Sequence, residues 1–399
     1  MRKLELLSPA GDLERTQMAL AYGADALYLS GPGYGMRAVG CMDMENLAAA
    51  VALCHGRGVK AYVTCNTVPT EEEILVLPAY LRELEALGAD AVIVGDMGVL
   101  SLCRKHIPHV PIHVSTQAGV MNSAAATALY ELGASRVIPA RELTLEGLRA
   151  LRKNTPPQLE IEVFVHGSMC VSFSGRCLLS NYMTGRDANR GQCAQPCRWS
   201  YALMEEKRPG EYFPVEETGQ GTFILNSRDM CLIDHLEELY EAGADSIKIE
   251  GRNKSAYYAA TVTNAYRHAV DALMAGEPLE ERWRQEVEQV SHRPYSTGFY
   301  YGYPGQHTAE SEYTSGSEFI AVVEACSADG QAIVQQRNRF MPGDELELMM
   351  PRGEIASFTC GALADEEGFP LSVANRPMQR VCVTLPCAAP RWSILRRRK

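Results

Sequence analysis

The sequence predicts an α/β protein built as a (β/α)8 TIM-type barrel, with a small C-terminal β-barrel domain behind it. Three observations carry this expectation. A phrase recurs at Gly23-Ala24-Asp25-Ala26, Gly88-Ala89-Asp90-Ala91, Gly133-Ala134-Ser135-Arg136 and Gly243-Ala244-Asp245-Ser246. In each copy a glycine closes a helical pattern, an Asp or Ser turns the chain, and an apolar run reads as a buried strand. Helical patterns and apolar strands alternate, as parallel βαβ units require. Eight such strands fit a closed barrel better than an open sheet.

Taken in order, the strands are Leu4 to Ser8, Ala26 to Ser30, Val59 to Asn66, Ala91 to Gly95, Pro111 to Ser115, Arg136 to Ala140, Glu160 to His166 and Ser246 to Glu250. Helical patterns lie between them, among them Glu71 to Leu87, Ser123 to Leu132 and Asp229 to Ala242, and another, Lys254 to Ala275, follows the last strand. The barrel is expected over residues 1–300, with a long insertion after strand seven at about 166–227. From Arg293 to Gly305 the chain turns to Tyr, Gly and Pro, and helical periodicity ends. Residues 301–399 then alternate in short strands, Glu318 to Cys326, Gln331 to Asn338, Asp344 to Met349, Glu354 to Cys360 and Arg380 to Leu385, with turn signals between them.

Composition bounds the function. With 399 residues, 46% of them hydrophobic, the chain is long enough for a barrel core and one smaller domain. No apolar run approaches the ~18 residues of a membrane span, and Arg2 and Lys3 meet the start too early for a secretory segment. A cytoplasmic protein without a membrane partner is expected. A net charge of -11 argues against broad nucleic-acid binding, because phosphate contacts need concentrated Lys and Arg. An RNA partner would need a local patch, and the tail Arg396-Arg397-Arg398-Lys399 is one candidate.

In a barrel the C-terminal strand ends share one pocket. Those ends are polar here. Strand two runs into a glycine loop with Arg37, strand five into His113 and Gln117, strand six into Arg141, strand seven into His166, and strand eight into Lys248, Glu250 and Arg252, while Asn226 precedes the helix leading to strand eight. Arg141 and Arg252 suit a dicarboxylate, since a guanidinium binds a carboxylate bidentately. Lys248 and Glu250 share one side of their strand and either pair with each other or point at substrate. His113 reads as a backbone-bonded histidine, Ser227 or Asp229 as a helix N-cap, and His166, four residues before Cys170, as a site residue.

Four of the thirteen cysteines crowd into the insertion, Cys170, Cys177, Cys193 and Cys197, spaced C-x6-C-x15-C-x3-C. Two pairs separated by a loop are what a tetrahedral all-thiolate site needs. The wide first pair favours iron and sulfur mildly over zinc, and a reducing compartment disfavours disulfides.

The run E-x-F-V-H-G-S-M-C-x6-C, with G-R-C-L-L-S inside it and C-x3-C-R-W after it, resembles the signature of the U32 peptidase family, the collagenase-like proteases, and within it the tRNA hydroxylation branch. The likeness extends from Leu6 to about Phe299. It implies a barrel carrying a 4Fe-4S cluster that helps install a hydroxyl on a uridine of tRNA, with prephenate as hydroxyl source. It also implies Gln117, Arg141, Asn226, Lys248, Glu250 and Arg252 as matched positions. Some relatives take the fourth ligand from outside the C-x3-C pair, which makes Cys231 the alternative to Cys197. The expected roles are therefore His166, Gln117, Lys248 and Glu250 in catalysis, Arg37, Arg141, Asn226 and Arg252 in substrate binding, and the four cysteines as metal ligands. Two other readings compete, a U32-type peptidase and a zinc-stabilised binding protein. For a peptidase, His166 with Cys170 is the local base and nucleophile pair, and neither a G-x-S-x-G elbow nor an H-E-x-x-H helix is present.

Overall fold

The computed structural model describes all residues except 1, 36–39, 171, 174–176, 200–201, 204–212, 215–226 and 306–313. Strands β1 (Glu5–Pro9), β2 (Ala26–Leu29), β3 (Lys60–Cys65), β4 (Ala91–Val94), β5 (Ile112–Val114), β6 (Arg136–Val137) and β7 (Glu160–Ser168) pair side by side in chain order, all parallel. The insertion contributes a small hairpin, β8 (Ala202–Leu203) with β9 (Phe213–Pro214), and then β10 (Asp229–Cys231). Strand β11 (Ser246–Ile249) pairs in parallel with both β7 and β1 and so closes the ring of eight.

The helices around the ring start where a side chain can accept the first backbone N–H groups. Asp12 caps α1 (Leu13–Ala21), Asp43 caps α2 (Met44–His55), Thr70 caps α3 (Glu71–Ala86), and Asp96 caps α4 (Met97–His106). Asn122 caps α5 (Ser123–Glu131) and Thr144 caps α6 (Leu145–Lys153). Within the insertion lies the short α7 (Leu179–Thr184). Beyond it come α8 (Leu236–Glu241), the long α9 (Ala256–Ala275) capped by Ser255, and α10 (Glu281–Glu286). Among the described residues no helix is long and apolar enough to cross a membrane.

The recurring phrase now has a physical meaning. Its glycines, Gly23, Gly88, Gly133 and Gly243, all have φ between 81° and 100°, where a Cβ is strained. Its polar residue does more than start a turn. Asp25 accepts from Leu6 N at 3.0 Å, Asp90 from Ala61 N at 2.7 Å, and Asp245 from Ile161 N at 2.8 Å, while Ser135 donates to the carbonyl of Ile112 at 3.1 Å. In each copy the side chain ties the start of one strand to its neighbour.

One expected helix differs. The pattern from Asp229 to Ala242 splits into β10, a 3-10 turn at Ile233–His235, and α8. Asp229 is not an N-cap. It is buried, ion-paired with Arg293 at 2.9 Å, and its strand runs antiparallel to the upper half of β7. Burial would raise the Asp229 carboxyl, but the charge and hydrogen bonds of Arg293, with the Lys254 charge, together outweigh it and hold the group below its ordinary range.

After β12 (Tyr295–Ser296), which joins β10, the C-terminal domain contains β13 (Ser317–Cys326), β14 (Gln331–Gln336), β15 (Glu345–Met349), β16 (Ile355–Thr359), β17 (Leu363–Ala364), β18 (Pro370–Leu371), β19 (Arg380–Thr384) and β20 (Ile394–Arg398). They form one antiparallel sheet in the order β16-β15-β20-β13-β14-β19-β17-β18. Phe358 of β16 and Leu371 of β18 pack on the same apolar core, so the sheet curls around it.

This domain docks on the outer wall of the barrel. Tyr22 donates to the carbonyls of Met349 and Trp392, Tyr257 stacks on Phe319, and Arg337 pairs with Glu14. The strongest tie is Arg396. It is fully buried, meets Glu286 of α10 through two contacts of 2.7 Å, and meets Glu347 of β15 at 2.8 Å. This corrects the reading of the last residues as a basic arm: Arg396, Arg397 and Arg398 lie in β20 and pair with Glu286, Glu318, Asp344 and Glu347. A free tail would leave those carboxylates without their cations, and the sheet needs the strand.

Candidate active site

The barrel interior is layered by charge. At its floor Arg136 of β6, almost wholly buried, meets Glu5 at 2.6 Å, Glu160 at 2.7 Å and Glu162 at 2.9 Å. Glu162 also takes Lys248 of β11 at 2.9 Å. Tyr62 and Ser246 donate to Glu5 as well. Burial would raise the Glu5 carboxyl, yet Arg136 keeps it low. A buried charge survives only where it is paired, and here each is.

Above this floor a small polar cage opens at the C-terminal strand ends. It measures about 90 Å³ and its wall includes Tyr28, Thr64, Asn66, Ser115, Gln117, Arg141, Phe164, Lys248, Glu250 and Arg252. Lys248 does not pair with Glu250, contrary to one of the two expectations for that residue. Its ammonium is drawn down to Glu162 and lies 4.5 Å from the centre of the Tyr28 ring. Glu250 instead accepts the Tyr28 hydroxyl at 2.9 Å. Burial and the nearby Glu250 charge push the Tyr28 phenol well up, so it keeps its proton and donates. Arg252 donates to Thr64 Oγ1 at 2.9 Å, and Arg141 to the carbonyl of Ser168 at 2.9 Å with its guanidinium 5.2 Å from the Phe164 ring.

Two glycines make this geometry possible. A Cβ on Gly11 would stand 2.5 Å from the carbonyl oxygen of Arg252, and one on Gly167, at φ +115°, would stand 2.4 Å from that of Glu250. Gln117 sits on the 3-10 turn Thr116–Ala118, and its own N–H donates to Ser115 Oγ at 3.3 Å.

His166 is not part of the cage. Period two would point residues 162, 164 and 166 of β7 inward, but the register shifts so that Lys248 faces Phe164 and Ile249 faces His166. Val165 is the extra residue, and this bulge turns the imidazole outward. Its Nδ1 stands 3.4 Å from the Tyr266 hydroxyl and its Nε2 3.4 Å from that of Tyr295. Burial lowers its pKa to about 3, so it is neutral. His113 is also buried and held neutral by burial, and by Arg136 and Lys248 beneath it. Its Nδ1 has no hydrogen-bond partner and its ring meets Tyr62 edge-on, which corrects the expectation of a backbone bond.

Gln117, Arg141, Lys248, Glu250 and Arg252 are thus brought together. Arg37 and Asn226 lie outside the described residues. Tyr28, Thr64, Asn66 and Ser115 join the cage without having been singled out. Thr64 and Asn66 stand two apart at the end of a strand, a signal that was available in the sequence.

The cysteine insertion lies beside this mouth. Arg190 pairs with Glu73 of α3 at 2.6 Å, and Val68 N reaches the carbonyl of Asn189 at 3.5 Å. Between the insertion and the loops after β3, β4 and β5 opens a cleft of about 840 Å³, and Gln117 borders both it and the cage. Cys170, Cys177, Cys193 and Cys197 are all partly exposed and none forms a disulfide. Among the described residues no three His, Cys, Asp or Glu side chains are gathered closely enough to hold a metal ion. The donor set is of the kind an iron-sulfur centre uses: four thiols share one segment, and Gln195 N–H points at Cys193 Sγ at 3.3 Å. Cys231 lies elsewhere, on β10 opposite His166 and 3.8 Å from the Tyr266 hydroxyl, and burial pushes its thiol up to about 11.

Comparison with known proteins places this geometry. Residues 11–310 match the model of peptidase family U32, and residues 315–396 match that of the peptidase family U32 C-terminal domain. The tRNA hydroxylation protein P of Escherichia coli is 36% identical over 97% of this chain and 94% of its own length. The tRNA hydroxylation protein P1 of Bacillus subtilis is 36% identical over 95% of this chain and 91% of its own. The 23S rRNA 5-hydroxycytidine C2501 synthase of Escherichia coli is 38% identical over 70% of this chain and 40% of its own.

Proposed function

The chain belongs to peptidase family U32, and from that premise we propose that it is a cytoplasmic RNA-modifying enzyme that hydroxylates tRNA to form 5-hydroxyuridine, with a 4Fe-4S cluster as cofactor and prephenate as co-substrate. One observation supports this reading above the others. Two guanidinium groups, an ammonium and a phenol–carboxylate pair converge on a single small pocket at the C-terminal barrel face, beside a loop carrying four thiols. Two relatives whose names specify tRNA hydroxylation align over nearly the whole chain.

Each cage group has work in such a reaction. Arg141 and Arg252 bind and orient the two carboxylates of prephenate. Lys248, anchored by Glu162, sets a positive charge at the pocket base. Glu250 can take a proton from bound substrate, while Tyr28, kept protonated by burial, donates a hydrogen bond to Glu250 or to that substrate. Gln117 offers an amide donor and acceptor at the cage wall. Cys170, Cys177, Cys193 and Cys197 would hold the cluster, which supplies electron-transfer chemistry when bound. Peptidase chemistry draws no such support, because both His166 nitrogens face tyrosine hydroxyls and its proton affinity is too low for a base near neutral pH.

Mass spectrometry of tRNA nucleosides from a deletion strain tests the proposal. Loss of 5-hydroxyuridine-type nucleosides, restored by the wild-type gene and not by Cys170→Ala, is expected. An unaltered nucleoside profile in a strain without a second homologue would overturn it.

A further inference from the structure

The cage and the neighbouring cleft differ in size and charge in a way that assigns them different ligands. At about 90 Å³ the cage is smaller than pockets that enclose whole metabolite-sized ligands, roughly 300–1,000 Å³, whereas the cleft at about 840 Å³ falls inside that range. The cage wall carries Arg141 and Arg252 with Glu250, and Lys248 at its base is held by Glu162. The charged groups lining the cleft are Asp96, Asp187 and Arg190, and each is committed. Asp96 caps α4 through Gly98 N and Val99 N, Asp187 accepts from Asn189 N at 2.8 Å, and Arg190 is paired with Glu73. What remains is a lining of neutral amides and apolar groups, with Val68, Met97 and Leu178 about half exposed at the rim.

Such a surface offers a phosphate no uncommitted cation and accepts a flat, neutral, hydrogen-bonding ring. On the proposed reading as an RNA hydroxylase, we infer that this cleft seats the target pyrimidine nucleoside, turned out of the RNA, while only the carboxylate end of the anionic co-substrate enters the cage. Gln117, which borders both cavities, marks where the two meet. A base inside a stacked strand cannot reach an atom at the bottom of a barrel mouth, so the target is taken either from an unpaired segment or by extrusion. Asn189 links the cleft to the cysteine loop, since its Nδ2 donates to the carbonyl of Cys177 at 3.1 Å. The base would therefore rest against the same segment that carries the thiols.

Photocrosslinking tests this with a tRNA transcript in which 4-thiouridine replaces uridine. Crosslinked peptides are expected from residues 95–120 and 178–190. Leu178→Glu and Met97→Glu, both at exposed positions, should each cut crosslinking on the order of tenfold. Prephenate affinity and melting temperature should stay at wild-type values in both. Crosslinks confined to other segments, with tRNA still hydroxylated in cells, would overturn the cleft assignment and leave the hydroxylase reading standing. Equal loss of prephenate affinity in the two variants would also overturn it, because the cavities would then be one site. If the deletion strain keeps its full set of tRNA nucleosides, the hydroxylase reading itself fails.

Discussion

The floor and the mouth of this barrel are built from similar charges put to different uses. At the floor, Arg136 and Lys248 are satisfied by Glu5, Glu160 and Glu162 at 2.6 to 2.9 Å. At the mouth, Arg141 reaches the carbonyl of Ser168 and Arg252 the hydroxyl of Thr64, among further contacts, and both line an open cavity. A carboxylate that arrives with a ligand can reach a guanidinium on a cavity wall and not one sealed among glutamates as Arg136 is. Charge alone is therefore no mark of a site. What marks it is a cavity beside the charge.

The largest effect that would break this comparison comes from the floor. Arg136→Ala takes the guanidinium from Glu5 and leaves Glu162 with Lys248 alone, and removing one partner of a buried pair costs about 3–5 kcal/mol. Denaturant unfolding should show that loss, and a variant with wild-type stability would mean that the floor charges are not structural. At the mouth the balance reverses. Arg141→Ala and Arg252→Ala should each weaken prephenate binding by roughly tenfold to a hundredfold, the worth of a charge-assisted hydrogen bond of about 1.5–3 kcal/mol. Unchanged affinity in both variants would remove the anion role.

The cluster assignment is next in size. Anaerobically prepared Cys170→Ala, Cys177→Ala, Cys193→Ala and Cys197→Ala should each lose iron and sulfide. If Cys197→Ala keeps a full cluster while Cys231→Ala loses it, the fourth ligand is Cys231 in spite of its buried, protonated thiol.

A smaller effect concerns His166. Its pKa in the folded protein, about 3, lies below the ordinary histidine value near 6.5. Between those values the unfolded chain binds the extra proton, so stability is full above pH 6.5 and falls as the pH drops toward 3. His166→Gln should remove up to one proton of that dependence, about 1.4 kcal/mol per pH unit, visible in unfolding curves across that window. Retained hydroxylation by the same variant would confirm a packing role, and its loss at unchanged stability would return His166 to the site. Smallest of all is Arg398→Ala. Its guanidinium is exposed and Glu347 already holds Arg396, so the pair is worth about 0–1 kcal/mol, and tRNA affinity should not change. A clear drop in RNA binding would restore the basic-tail reading.

Much of the frame was legible in the residues themselves. The four copies of the glycine joint set the alternation of helix and strand, because a left-handed backbone and a buried β-branched run are local demands. The cage residues Gln117, Arg141, Lys248, Glu250 and Arg252 were legible too, since barrel geometry sends strand ends to one place. Three things were decided only in the folded chain. One bulged residue, Val165, turned His166 away from the mouth, and no local pattern announces a register shift. Lys248 chose Glu162, on the adjacent strand and 86 positions away, over Glu250 on its own strand. The last arginines became a strand clamped by Glu286 and Glu347. Partner choice for a charge depends on what burial brings within about 3 Å, and sequence spacing carries that only within a single helix or strand.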